Sequence, residues 1–172
     1  MGVPLQGVYT TMTSPSRVGI GFDIHRLVEG RRLMLAGIEV PHPLGELAHS
    51  DGDVVLHALA DAMLGAAGLG DIGEQFPDSD PAWKDADSAA LLGRVVALVA
   101  RAGWAVTSVD VNVLIERPKL APHKAAMRER LAGLLALAPD AVGLKARTME
   151  GLGPIGDGTA VASHVVVMLC HV

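Results

Sequence analysis

The chain has 172 residues with 14 basic and 19 acidic side chains; half of it is apolar and only 3% aromatic, which excludes intrinsic disorder and a general nucleic-acid surface. Its single cysteine, Cys170, excludes an intramolecular disulfide and a cysteine-based zinc finger, and fits a reducing, cytoplasmic compartment. There is no signal-peptide pattern and no apolar run of about 18 residues, so no membrane partner is expected.

Residues 1–16 lack a clear period and are rich in Gly, Pro, Ser and Thr, so they are expected to be a flexible N-terminal extension to a single domain at 17–172. From Arg17 the sequence alternates: Val18, Ile20, Phe22 and Ile24 are apolar, against Gly19, Gly21, Asp23 and His25. That period of two marks a half-buried strand. A second strand is expected over 32–40, after a turn at Glu29-Gly30. Residues 53–67 predict a helix with Asp53 as N-cap, and 88–102 another, capped by Ser88 and stopped at Gly103. The loop between them carries six carboxylates and one lysine. Residues 105–115 alternate again, with Val109, Val111 and Val113 opposing Ser108, Asp110 and Asn112. Pro122 opens a helix whose core face is Met127, Leu131, Leu134 and Leu135, and strands at 142–148 and 160–170 close the chain. The order ββααβαββ predicts an α+β fold, a mixed β-sheet with helices layered on one face. The other face, read as small or polar, suits burial in an oligomer.

Asp23 and His25 stand at i and i+2 of a strand, so both side chains leave the same face. Gly19 and Gly21 share that face and are expected to leave open space there. A carboxylate beside an imidazole can ligate a divalent metal, although a polar strand end with a surface histidine is the plainer alternative. The 53–67 helix is apolar almost all round, and before Gly65 its only polar side chains are Asp53, His57 and Asp61, in one stripe. A buried helix must satisfy such groups somewhere. His57 either hydrogen-bonds Asp61 as a core histidine or serves as a third metal ligand, oriented by a carboxylate one turn away. Two histidines and one carboxylate together make an open three-ligand zinc site, the pattern that leaves a position for water or substrate.

His49 and Ser50 precede that helix and form either a capped turn or a phosphate site at a helix N-terminus. Arg117, Lys119, Lys124, Arg128 and Arg130 form a basic segment; Arg128 and Arg130 read as a solvated helix face, the others as candidates to neutralise phosphate. Thr148 and Glu150 follow a strand and could bind a phosphate or a second metal. Cys170 reads as core. No GxSxG, P-loop or GxGxxG motif is present, so serine hydrolases, P-loop NTPases and Rossmann enzymes lack support.

Three stretches carry a resemblance: GFDIHR at 21–26, AHSDGDVVLHALADAMLGAAGLGDIGEQFPDSDP at 48–81 and RPKLAPH at 117–123. They closely resemble the 2-C-methyl-D-erythritol 2,4-cyclodiphosphate synthase family over about residues 17–170. The resemblance implies a lyase of non-mevalonate isoprenoid biosynthesis that cyclises a cytidine-diphosphate methylerythritol phosphate and releases CMP. It implies zinc at Asp23, His25 and His57, and magnesium or manganese at Glu150. The methylerythritol phosphate end is implied near His49, Ser50, Asp71, Ile72, Gly73 and the loop Phe76, Pro77, Asp78, Ser79 and Asp80. The cytidine end is implied along Ile115, Glu116, Arg117, Pro118, Lys119, Leu120 and Ala121, with Lys119 toward phosphate. His49 and Thr148 would support the transition state, with Arg147 and Met149 beside Thr148. A homotrimer with active sites between neighbouring subunits is implied as well.

The sequence departs from the family pattern near its end, which reads KARTMEGLGPIGDGTAV. Arg147 and Met149 stand where threonines are usual, Asp157 where an arginine is, and Thr159 where a glutamate is. Two other readings of the same residues remain at this stage. One is a zinc hydrolase acting through metal-bound hydroxide; the other is a trimeric binding protein with a structural metal.

Overall fold

The structure is a computed structural model that describes residues 15–77, 83 and 86–172; most of the expected N-terminal extension, residues 1–14, lies outside them. The alternation beginning near Arg17 folds as one long strand, β1 (Ser16–Glu29). It starts within the segment read as an extension, because Ser16 already pairs with Cys170. β1 is followed by β2 (Leu33–Leu35), β3 (Ile38–Val40), β4 (Leu44–Leu47), α1 (Val54–Ala67), α2 (Ile72–Gln75) and α3 (Ser88–Arg101). Then come β5 (Trp104–Leu114), α4 (Lys124–Leu135), a 3-10 turn at Pro139–Ala141, β6 (Val142–Arg147), α5 (Gly153–Gly156) and β7 (Ala160–His171). Five strands form a mixed sheet in the order β4-β1-β7-β5-β6, antiparallel except for the parallel β5–β6 pair.

The α+β expectation holds, with three corrections of detail. The strand expected over 32–40 is a hairpin of β2 and β3, because Ala36 and Gly37 turn the chain at φ of 57° and 76°. That left-handed pair fits the two-residue turns of tight hairpins. β4 was not foreseen; its four residues are too short to show a period. The N-cap of α3 is Asp87, whose carboxylate accepts from Ala89 N, while Ser88 is buried and turned toward His57.

The main correction concerns β1. Its apolar side faces outward, with Val18 65% and Ile20 71% exposed, and its glycine side faces α1. The space at Gly19 and Gly21 is not open. A Cβ on Gly19 would lie 1.9 Å from Ala62 O, and one on Gly21 1.8 Å from Ala58 O. Helix backbone therefore rests directly on strand backbone, which only glycine permits. The core lies between this sheet face and the helices, with Val161, Val165, Val167 and Leu169 of β7 and Val109, Val111 and Val113 of β5 buried against α1, α3 and α4. Met127, Leu131 and Leu135 of α4 are buried as expected, and Leu134 is partly buried.

α1 carries the site, and both its ends are fixed. The Asp53 carboxylate accepts from Val55 N and Leu56 N and also from Ala36 N and Gly37 N, so one buried cap joins α1 to the β2–β3 turn. At the other end Gly68 is left-handed at φ 74°, and Arg17 donates to the carbonyls of Ala66 and Ala67 while stacking on Trp104. No helix among the described residues is long and apolar enough to cross a membrane.

Candidate metal and substrate site

Close packing of α1 on β1 brings the predicted triad together. Asp23 Oδ2 lies 3.1 Å from His25 Nε2 and 3.2 Å from His57 Nδ1. One ligand atom from each residue falls within 4.8 Å of the others, and the imidazoles meet edge to face at 5.2 Å. Two imidazole nitrogens and a carboxylate oxygen are the donors that zinc and similar divalent ions take.

The far side of each ring fits the same purpose. His25 Nδ1 lies 2.7 Å from Glu46 Oε2 and 2.8 Å from Gly52 O. His57 Nε2 lies 2.9 Å from Ser88 Oγ and 3.1 Å from Ser50 Oγ, and Ser88 in turn donates to Asp51. When the rings are neutral, as ligation requires, acceptors on those outer nitrogens keep the proton outside and turn the lone pair into the triad. The residues present therefore fit a divalent metal. The partner foreseen for His57, a carboxylate one turn away, is not what orients it: Asp61 accepts from Ile72 N at 2.8 Å, and Asp53 is occupied as the cap.

The electrostatics follow from this packing. Burial disfavours the Asp23 carboxylate, but the hydrogen bonds and charges of His25 and His57 overcome it and hold its pKa well below the usual range. Burial opposes the His25 charge, yet Asp23 and Glu46 raise its pKa to about 10. Glu46 is pushed up to about 8 by burial, reinforced by the charge of Asp53 and opposed by His25. Burial likewise raises Asp61, against the hydrogen bond from Ile72.

The triad lies in a cavity of about 360 Å³ that is also lined by His49, Ser50, Asp61, Ile72, Gly73, Phe76 and Trp83. The segments 49–50 and 72–76, separate in sequence, thus meet at the triad. Ser50 is only 7% exposed and its hydroxyl also accepts from Gly52 N. Asp71 caps α2 through Glu74 N, just outside the cavity. Pro77 is an exposed residue at the edge of the described segment, and Asp78, Ser79 and Asp80 lie outside the described residues.

The other predicted residues gather elsewhere. Ile115, Glu116, Pro118, Lys119, Leu120 and Ala121 line a separate cavity of about 260 Å³ with Lys124, Ala146, Arg147 and Thr148. Arg117 precedes Pro118 through a cis peptide bond. Nearby, Thr148 Oγ1 donates to Glu150 Oε1 at 2.8 Å and Met149 N donates to Glu116 Oε2 at 3.2 Å. Glu150 is exposed and left-handed at φ 52°. Asp157 ends α5, and Thr159 Oγ1 donates to Pro154 O.

Sequence reasoning missed four contributors: Glu46, Asp51, Ser88 and Arg31. Arg31 donates to the carbonyls of Glu46, Ala48 and Ser50 and so fixes the turn that carries His49. Only Glu46 left a trace in the sequence, as a lone charge between Gly45 and Leu47 just ahead of His49.

Comparison with known proteins places the chain as a whole. The profile of the YgbB family matches residues 16–170. The 2-C-methyl-D-erythritol 2,4-cyclodiphosphate synthase of Gloeobacter violaceus is 56% identical over 153 residues, covering 89% of this chain and 94% of the relative. The one from Salinibacter ruber is 57% identical over 148 residues, covering 86% and 94%. Among solved structures, a 2C-methyl-D-erythritol-2,4-cyclodiphosphate synthase in a CDP-bound form has a TM-score of 0.83 at 44% identity, covering 89% of this chain and 99% of that one. The bifunctional IspDF of Campylobacter jejuni has a TM-score of 0.89 at 41% identity over 93% of this chain, which spans only 43% of that longer protein. Fold and sequence agree, and this chain belongs to the YgbB family, that of the 2-C-methyl-D-erythritol 2,4-cyclodiphosphate synthases.

Proposed function

We infer that this chain catalyses the reaction for which its relatives are named, with the Asp23–His25–His57 cavity as its centre. It is a phosphorus–oxygen lyase of non-mevalonate isoprenoid biosynthesis. The substrate is 4-(cytidine 5'-diphospho)-2-C-methyl-D-erythritol 2-phosphate. An oxygen of the 2-phosphate forms a bond to the β-phosphorus, the bond from that phosphorus to the bridging oxygen breaks, and CMP leaves with the electron pair. The attack is intramolecular, so neither a covalent nucleophile nor a general base is required. Catalysis rests on holding a flexible, highly charged substrate in line.

The observation that carries this reading is the meeting of three metal-type donors with the 49–50 and 72–76 segments in one cavity. Zinc at Asp23, His25 and His57, and magnesium or manganese at Glu150, would supply positive charge to phosphate oxygens. His49 and Ser50 position the methylerythritol phosphate, flanked by Asp71, Ile72, Gly73 and the Phe76–Pro77 turn. Lys119 and Arg147, in the second cavity, balance the nucleotide phosphates, with Ile115–Ala121 around the cytidine. Thr148 holds the Glu150 carboxylate in place.

The active unit is a homotrimer with sites between subunits. The two cavities share no residue and lie on strands at opposite sides of the sheet, β1 and β6, about three strand spacings or roughly 14 Å apart. Apposition of subunits brings the triad of one to the nucleotide cavity of the next. The exposed apolar face of β1 and β7 offers the surface to do so, and the number three comes from the family resemblance.

The test is direct. Purified protein given this substrate and Mg²⁺ should release CMP and a cyclic diphosphate, both visible by phosphorus NMR. Intact substrate, or a linear hydrolysis product, would overturn the reading.

A further inference from the structure

Glu46 is fully buried on β4, 0% exposed, ahead of the His49 turn. Its two oxygens are unequal. Oε2 lies 2.7 Å from His25 Nδ1 and accepts from Val54 N at 3.1 Å, whereas Oε1 is buried with no hydrogen-bond partner. A buried carboxylate with an orphaned oxygen costs stability, and an apolar side chain would fill the same place without that cost. Compensation comes from what Oε2 touches: the first backbone N–H of α1 and the ring of His25.

We propose that Glu46 is a positioning residue for His25, fixing its ring by the Oε2–Nδ1 contact so that Nε2 faces Asp23 and His57, and tightening the hold on a divalent cation. The proposal rests on the reading of Asp23, His25 and His57 as a metal site. Gly52 O also accepts from Nδ1 at 2.8 Å, so ring orientation has two supports. With a cation in the triad opposing its burial, the carboxylate adds what a carbonyl cannot, a negative charge behind the ring. Carboxylate–histidine–metal relays of this kind typically account for about 10–100-fold in metal affinity. The alternative, in which Glu46 only caps α1 through Val54 N, predicts a loss of stability with no change at the ring.

The experiment loads full-length protein with Zn²⁺ or Cd²⁺ and measures affinity by chelator competition. Wild type should bind one ion per chain, and His57→Ala should lose it. Glu46→Gln, which keeps size and an acceptor oxygen but removes the charge, should weaken zinc about 10–100-fold and shift the His25 Nδ1 proton resonance upfield. If Glu46→Gln binds zinc as wild type does while His57→Ala does not, the proposal fails and the metal reading survives. If wild type binds no ion, or His57→Ala binds as well as wild type, both fail. Should Glu46→Gln not fold, nitrogen–cadmium coupling in labelled wild type decides: coupling through His25 Nε2 supports the proposal, and coupling through Nδ1 overturns it.

Discussion

The two faces of β1 do opposite things. Gly19, Gly21, Asp23 and His25 lie against α1, where two glycines admit helix backbone and two polar side chains supply two of the three members of the candidate metal triad. Val18, Ile20, Phe22 and Ile24 stand exposed on the other side, in register with Met168, Val166, His164 and Ala162 of β7 respectively. An alternating pattern establishes that a strand has two faces, but not which one meets its own core. Here the chain's own fold leaves the apolar face exposed, and the site-bearing face is buried by close backbone approach.

The inner face is the more fragile. A methyl group on Gly21 would meet Ala58 O at 1.8 Å, so Gly21→Ala must push α1 off the strand and separate His57 from Asp23. A loss of at least ~3 kcal/mol, together with loss of metal binding, is expected from denaturant unfolding and metal analysis. A Cβ on Gly65, on the exposed side of the same helix, would enter open space. Gly65→Ala should instead raise stability by about 1 kcal/mol. Equal effects at the two glycines would show that close approach is not what Gly21 supplies.

The outer face should respond in assembly and not in folding. Ile20→Glu places a charge in a face with no core role, so a subunit should keep its helical circular dichroism and bind zinc. Light scattering should then report a fall from about three times 17.8 kDa to 17.8 kDa, with loss of CMP release. A wild type already at 17.8 kDa and fully active would remove the trimer from the functional reading.

Asp53 offers a pH-dependent contrast on the glycine-facing side. Burial, reinforced by the charge of Asp51, raises its pKa from 3.8 to about 6 against four backbone hydrogen bonds. A carboxyl with a raised folded pKa contributes stability in full below its unfolded value and loses it as pH rises through the folded value. Measured without metal, the advantage of wild type over Asp53→Asn should therefore shrink between pH 4 and 6, by about 3 kcal/mol. A gap that stays constant or widens would mean that the backbone donors outweigh burial.

These contrasts separate what the sequence makes legible from what it does not. The His57 stripe was readable because α1 is apolar everywhere else, so any polar group on it stands out. Asp23 and His25 were readable because i and i+2 on a strand share a face whichever way that face points. The orientation of β1 was not, since the partner that justifies Gly19 and Gly21 is helix backbone some 40 residues later. Ser88 shows the same limit. A serine before an apolar helix reads as a cap, and only tertiary packing turns it to His57, 31 residues away. Around Ile115–Ala121 the basic residues Lys119 and Lys124 were legible as phosphate candidates, but the cavity they line was not, because it combines a strand end, a cis-proline turn and the end of β6.

The smallest expected effect compares the two histidines directly. His25 is backed by a carboxylate, whereas His57 is backed by a neutral hydroxyl that relays to Asp51. Ser88→Ala removes that hydroxyl, but Ser50 Oγ remains 3.1 Å from His57 Nε2 and can still accept its proton. Asp51 keeps the backbone N–H of residue 88 at 3.3 Å, so its carboxylate is not abandoned. The substitution should therefore weaken zinc by less than about tenfold, close to 1 kcal/mol, the scale of one hydrogen bond with a substitute at hand. Adding Ser50→Ala should take away the substitute, so the double variant should lose more than the two single losses combined. Simple additivity would mean that each hydroxyl holds His57 independently, and that neither stands in for the other.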